Sequence, residues 1–183
     1  MHKTVDFQHG RLVYEGSRLQ VRLVPVPVEG GAIQKEVVVH PCAVVVLPFV
    51  SDTEIVFIRN TRVAIARQLL ELPAGTLEKD EDPALCAQRE LQEETGFAAA
   101  HIEPLGSFFN APGWSTYRLF AFVARGLTAG PQQLDQGERI DIEIVPTADI
   151  CSMIADGRIV DGKSLSSLAI YAARYRRGSL ASL

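Results

Sequence analysis

The sequence predicts an α/β protein in which helices flank a mixed sheet. Three observations carry this. Ala43-Val44-Val45-Val46-Leu47-Pro48-Phe49 is a continuous apolar run, as expected of a strand buried on both faces. Residues 83–95 are helix formers framed by start and stop signals. Further apolar strands follow that helix, and two shorter helical stripes follow the strands.

The elements run in order. Arg11-Leu12-Val13-Tyr14 and Leu19-Gln20-Val21-Arg22-Leu23-Val24 alternate around a Glu15-Gly16-Ser17 turn. Glu29-Gly30-Gly31 makes the next turn, and Ile33 to His40 returns as a third strand. Residues 4–40 thus read as a small β-meander, and residues 41–183 as the main domain. Three strands alone are marginally stable, so the meander needs something to pack against. In the main domain, Glu54 to Arg59 pairs with the 43–49 strand across Ser51-Asp52-Thr53. Leu72-Pro73-Ala74-Gly75 ends an apolar run with two breakers, so a strand stops and a loop begins.

The helix comes next. Asp82 is an N-cap, Pro83 occupies the first helical position, and Gly96 supplies a left-handed stop. Ala84, Ala87 and Leu91 form its core stripe. Ile102 to Phe109 and Tyr117 to Ala124 are strands separated by Asn110-Ala111-Pro112-Gly113-Trp114, and Ile140 to Val145 is another. A short helix from Ala148 to Asp156 turns Ile150, Met153 and Ile154 inward and stops at Gly157. Leu165, Leu168, Ala169 and Ala172 mark a last helix, ended by Gly178, with Arg174, Arg176 and Arg177 in its final turn.

Composition narrows the function. The chain has 183 residues, 47% hydrophobic and 22% charged, which suits an ordinary folded domain. With net charge −4 and no basic block before the C-terminus, a nucleic-acid partner has little support. No run approaches a membrane span, and residues 1–20 lack the apolar core of a signal peptide. Cys42, Cys86 and Cys151 are odd in number and scattered, as buried thiols of a reducing compartment would be. A cytoplasmic location is expected.

One cluster breaks the local rules. Glu90, Glu93 and Glu94 crowd the last turn of the 83–95 helix, where the macrodipole already favours cations. Each like-charge pair at that spacing costs roughly 0.2–0.5 kcal/mol, and Arg89 offers the only local relief. Either a solvated acidic face or a divalent-cation site would produce this pattern. Hard carboxylate oxygens suit Mg²⁺ or Mn²⁺.

The spacing then adds a resemblance. Gly75, five residues, Glu81, seven residues, and Arg89-Glu90-Leu91-Gln92-Glu93-Glu94-Thr95-Gly96-Phe97 match the signature of the Nudix hydrolases at every fixed position. Leu70-Glu71-Leu72-Pro73-Ala74-Gly75, Val37-Val38-Val39-His40-Pro41, Asp161-Gly162-Lys163-Ser164, and Pro112 placed 16 residues after Gly96 resemble the ADP-ribose pyrophosphatase branch. GDP-mannose pyrophosphatases share several of these cues.

The resemblance implies a Nudix-type α/β/α sandwich and Mg²⁺-dependent hydrolysis of a nucleoside diphosphate sugar. ADP-ribose, cleaved to AMP and ribose 5-phosphate, is the expected substrate. Another nucleotide sugar such as GDP-mannose, or a catalytically silent nucleotide-sensing domain, are the alternatives. It further implies that Glu90, Glu94 and the Ala74 carbonyl hold the metal, with Glu93 joining when more than one ion binds. Glu81 and Arg89 would be scaffolding, Gly75 would permit a tight turn, and Glu138 in the Gln136-Gly137-Glu138-Arg139 loop would be the general base, with Glu93 as fallback. Glu138 as an ordinary loop acid stays open beside that role.

Arg62 and Arg67 stand where the branch often has a phosphate-contacting arginine, though either suits a surface role equally. Many relatives read Gln-Tyr-Arg where this chain has Asn60-Thr61-Arg62, and Ser115-Thr116 stands where several have an acidic residue. Trp114 and Phe109, flanking the Pro112 loop, could stack on a base or simply pack. Glu71 could face the nucleotide or serve the fold. Members of the branch commonly pair through their N-terminal strands, so a homodimer is expected.

Overall fold

The computed structural model describes residues 6–175. Arg176, Arg177 and the Gly178 stop lie outside the described residues, as do the first two positions of the 4–40 meander. The chain divides into two units. One holds the described residues up to Cys42 together with Phe109–Arg118, and the other holds Ala43–Phe108 with the chain from Leu119 onward.

In the first unit, β1 (Arg11–Glu15), β2 (Gln20–Val28) and β3 (Gly31–Val39) form an antiparallel sheet in that order. Strand β2 runs past the expected Val24 and carries Pro25 and Pro27. These are tolerated because β1 pairs only as far as Leu23, which leaves that stretch of β2 an edge. The Phe109–Arg118 segment joins this unit: Val38 N–H donates to the Trp114 carbonyl at 2.8 Å, and Thr116 N–H donates to Val38 O at 3.0 Å.

The second unit is built on a seven-stranded mixed sheet. Its main path places β10 (Ile140–Pro146), β5 (Glu54–Arg62), β4 (Ala43–Ser51), β9 (Arg118–Ala129) and β8 (Phe97–Phe109) side by side. β4 runs parallel to β9 and antiparallel to β5. Two short strands branch off: β6 (Arg67–Glu71) pairs with β5, and β7 (Ala74–Thr76) pairs with the first residues of β4.

Val44, Val46, Phe122 and Ala124 lie on one face and close against Cys86, Ala87 and Leu91 of α1 (Pro83–Thr95). By strand alternation Val45 and Leu47 point the opposite way, and both are fully buried. Helix α3 (Gly162–Tyr175) also touches β4, so this strand is covered on both sides, as its unbroken apolar sequence implied. Among the described residues, no helix is long and apolar enough to cross a membrane.

Several local expectations need correction. The segment after Pro73 is not a loop but the short strand β7, so Gly75 sits in a ladder rather than at a turn. Strand β8 starts directly after α1 at Phe97, not at Ile102. The helix expected from Ala148 begins as a 3₁₀ turn over Thr147–Asp149 and continues as α2 (Ile150–Ala155). The buried stripe of α3 is Lys163, Ser164, Ser167, Leu168, Tyr171 and Ala172. Ala169 is exposed and Leu165 only half-buried, because the wheel centred on small apolar residues missed a helix start that buries polar groups.

Candidate active site

Helix α1 is fixed at both ends by its own sequence. The Asp82 carboxylate accepts the Ala84 and Leu85 N–H groups at 2.8 and 3.3 Å, and Gly96 turns left-handed with φ +72. The Gly96 N–H returns to Gln92 O at 2.8 Å. With the ends set, helical spacing alone places Glu90 and Glu94 one turn apart and Glu93 on the adjoining flank.

Arg89 organises the exposed side of this cluster. Its guanidinium donates to Glu81 Oε1 at 3.0 Å and Oε2 at 3.1 Å, to Glu90 Oε1 at 2.9 Å and to Glu93 Oε2 at 2.9 Å. Glu81 also accepts the Glu78 N–H at 2.9 Å, which ties the loop before the helix to the helix flank. The Arg89 bonds hold the Glu81 carboxyl down to about 2. Beside Arg89 the Cys86 thiol is buried, and that burial pushes it up to about 12, so it is not a reactive group.

Glu94 differs from its neighbours. It is buried, and its Oε2 accepts the Ala74 N–H at 2.8 Å. Desolvation pushes its carboxyl up to about 8; the Ala74 bond opposes this, the Glu90 charge adds to it, and Lys163 and Arg62 oppose it weakly. Glu90 is also raised by burial, with Arg89 opposing. Gly75 runs so close to Glu90 that an added Cβ would sit 1.7 Å from the carboxylate carbon. The glycine is therefore required by the approach of that side chain, not by a tight turn.

A buried and a half-buried carboxylate, both raised by desolvation, against a backbone that admits no side chain, form a donor set that suits a hard dication. Among the described residues, no three His, Cys, Asp or Glu side chains already stand grouped as a ligand set. Arg89 draws Glu90 and Glu93 to itself while Glu94 turns to Ala74. Binding an ion there means exchanging some of the Arg89 bonds for it.

The remaining predicted residues fall in different places. Glu138 is exposed, in a turn where its N–H donates to Asp135 O at 3.0 Å and its Oε2 accepts the Asp135 N–H at 3.2 Å. Its charge acts on Glu90. The loop carrying it is pinned to the end of α1: Gly130 N–H donates to Gly96 O at 2.7 Å and Gln133 N–H to Glu93 O at 3.0 Å. The Gln132 side-chain amide bridges Glu94 O at 2.6 Å and Ile140 O at 3.3 Å.

Glu71 is fully buried, and its carboxylate takes the Arg62 fork at 2.9 Å (Nε to Oε1) and 2.5 Å (Nη2 to Oε2). Arg67 is exposed on β6, opposite Arg62 in register. Pro112 and Trp114 belong to the first unit, and both are exposed. Sequence reasoning gave no role to Lys163, Ser164 or Gln132. The available signal for the first two was the Asp161-Gly162-Lys163-Ser164 segment, which carries part of the family resemblance; Gln132 offered none.

A mixed sheet held between helices, with an acid-lined helix end bonded to the strand beside β4, is the layout of a Nudix-type hydrolase domain. The chain belongs to the Nudix family: the family model described as "NUDIX domain" matches residues 39–168. It is 35% identical over 165 residues to the methanol dehydrogenase activator of Bacillus methanolicus, covering 89% of this chain and 86% of that one. It is 32% identical over 148 residues to the ADP-ribose pyrophosphatase of Bacillus subtilis, covering 80% of each. A crystal structure described as an ADP compounds hydrolase superposes with a TM-score of 0.81 at 20% identity, covering 97% of each chain, and shares the fold. Nudix hydrolases generally use divalent metal ions.

Proposed function

We propose that this protein hydrolyses the pyrophosphate bond of a nucleoside diphosphate sugar, and that ADP-ribose is the substrate, yielding AMP and ribose 5-phosphate. The observation that carries the reading is the buried Glu94, held by the Ala74 N–H beside Glu90 in a chain 32% identical to an ADP-ribose pyrophosphatase. In this reading Glu90, Glu94 and the Ala74 carbonyl hold Mg²⁺, with Mn²⁺ as substitute, and Glu93 joins for a second ion. The ion supplies charge neutralisation of the diphosphate and a lowered pKa for the attacking water.

The chain's own groups do the rest. Glu138 takes the proton of the attacking water, from an exposed turn whose base is tied to α1 at Glu94 and to β10 at Ile140 by the Gln132 amide, after giving up its bond to the Asp135 N–H. Glu93 is the fallback for that task. Arg89 and Glu81 hold the acidic face in register before the ion arrives. Arg62 and Arg67 contact phosphate, and Pro112 with Trp114 covers the base or the sugar. Glu71 acts through Arg62, since its own carboxylate has no exposed surface. A cytoplasmic homodimer paired through β1–β3 completes the reading.

The test is incubation with ADP-ribose and Mg²⁺ followed by detection of AMP, alongside GDP-mannose and dinucleoside polyphosphates. AMP release that is lost in Glu94→Gln without loss of fold is the expected result. Preferential turnover of GDP-mannose would move the substrate assignment, and no turnover of any compound would leave a nucleotide sensor.

A further inference from the structure

Four consecutive residues lead from β6 to the candidate site, and each is held by a hydrogen bond to another element. Glu71 is fully buried and is bonded by Arg62 and by Lys163 Nζ. Leu72 N–H donates to Ser164 Oγ at 2.8 Å. Pro73 O accepts the Val46 N–H at 2.9 Å, and Ala74 N–H donates to Glu94 Oε2 at 2.8 Å.

The holds on the first two residues come from one place, the first turn of α3. Lys163, 8% exposed, makes a second bond to Asp161 Oδ2 at 2.9 Å. The same oxygen accepts the Ser164 N–H at 3.0 Å and the Ser164 hydroxyl at 2.6 Å. Ser164 Oγ thus donates to Asp161 while accepting from Leu72.

Stability alone does not account for this arrangement. A lysine and a glutamate taken out of water pay a desolvation penalty that a well-packed apolar pair would avoid. What the polar arrangement supplies is location, because each bond has one direction and one length. Two residues further on, that location decides where Ala74 meets Glu94.

We propose that Lys163 and Ser164 are positioning residues of the active site: they clamp Glu71 and Leu72 from the start of α3, and thereby fix Ala74 against Glu94. The proposal rests on the assignment of Ala74 and Glu94 to the metal site. The clamp lies behind the site and touches no reacting group. Groups that orient metal ligands from behind typically contribute 10- to 100-fold in metal affinity or activity.

The experiment uses the full chain and Ser164→Ala, Ser164→Thr, Lys163→Gln, Glu94→Gln and Leu168→Ala. Mn²⁺ binding is measured by calorimetry without substrate, with thermal unfolding in EDTA and kcat and KM for ADP-ribose alongside. Ser164→Ala and Lys163→Gln are expected to weaken Mn²⁺ by roughly 10-fold or more and to lower kcat with little change in KM. Ser164→Thr keeps the hydroxyl and is expected to recover most of the affinity. Leu168→Ala opens a cavity on the same helix, and is expected to lower Tm while leaving Mn²⁺ affinity in place.

Wild-type Mn²⁺ affinity in Ser164→Ala overturns the proposal, and so does an equal loss in Leu168→Ala. If Ser164→Ala does not fold, Lys163→Gln decides by the same readout. Retention of Mn²⁺ by Glu94→Gln overturns the site assignment itself, whereas its loss there with retention in Ser164→Ala overturns only the clamp.

Discussion

Replacing Gly75 with alanine tests the site at its tightest point. The added Cβ would lie 1.7 Å from Glu90 Cδ, 1.9 Å from Oε1 and 2.1 Å from Oε2. Ordinary carbon–carbon contact is about 3.5 Å, so the carboxylate has to retreat by about 1.8 Å. Metal–ligand distances tolerate about 0.2 Å, so the displaced group cannot serve at its place. The obstacle is the far end of a flexible side chain, and Gly75 does not use a left-handed backbone, so the fold absorbs the change.

A compatible Gly→Ala change also restricts the unfolded chain, which stabilises by about 0.4–1 kcal/mol. Thermal unfolding in EDTA should therefore show a Tm within a few degrees of wild type. Calorimetric titration with Mn²⁺ and turnover of ADP-ribose should each fall by roughly 10- to 100-fold. Wild-type turnover at the wild-type Mg²⁺ requirement would refute the role of Glu90. Failure to fold would refute the claim that only a side-chain end stands in the way.

Burial raises the Glu94 carboxyl from 4.5 to about 8, so between those pH values the folded protein binds a proton that the unfolded chain does not. Metal-free stability should then fall as pH rises from about 5 to 8, by a few kcal/mol, and the slope should flatten in Glu94→Gln. Calorimetric Mn²⁺ affinity should rise over the same range, because the ion competes with that proton. Arg62→Ala leaves the buried Glu71 with Lys163 as its remaining charged partner and should cost about 1–3 kcal/mol. A higher KM with unchanged Tm would instead make Arg62 a phosphate contact alone. Gln132→Leu removes the side-chain bridge between Glu94 O and Ile140 O at the base of the Glu138 loop, leaving the Gly130 and Gln133 backbone bonds in place, and should lower kcat by about tenfold while Mn²⁺ affinity stays near wild type. A loss of Mn²⁺ affinity in step with kcat would refute that division.

The parts of the fold that sequence reading recovered are those written in neighbouring residues. Asp82, Pro83 and Gly96 define α1 within fifteen positions, and all three act as their chemistry dictates. The apolar run of β4 declared its double burial for the same reason. What was hidden depends on contacts distant along the chain. Lys163 reaches Glu71 across 92 positions, so nothing nearby in sequence marks it as buried, and an apolar wheel turns Leu165 and Ala169 inward instead. Gly75 was assigned to a turn because a glycine after proline usually is one. Its true constraint is a side chain fifteen residues on. Strand β7 is short enough that only its pairing with β4 identifies it.

Gly96 and Gly130 lie against one another so closely that a methyl group on Gly96 would fall 2.3 Å from the Gly130 carbonyl oxygen. Beyond that contact, from Asp135 to Arg139, the chain is exposed. A side chain at Gly96 would therefore displace the base of this loop, whereas the exposed stretch leaves room for larger side chains.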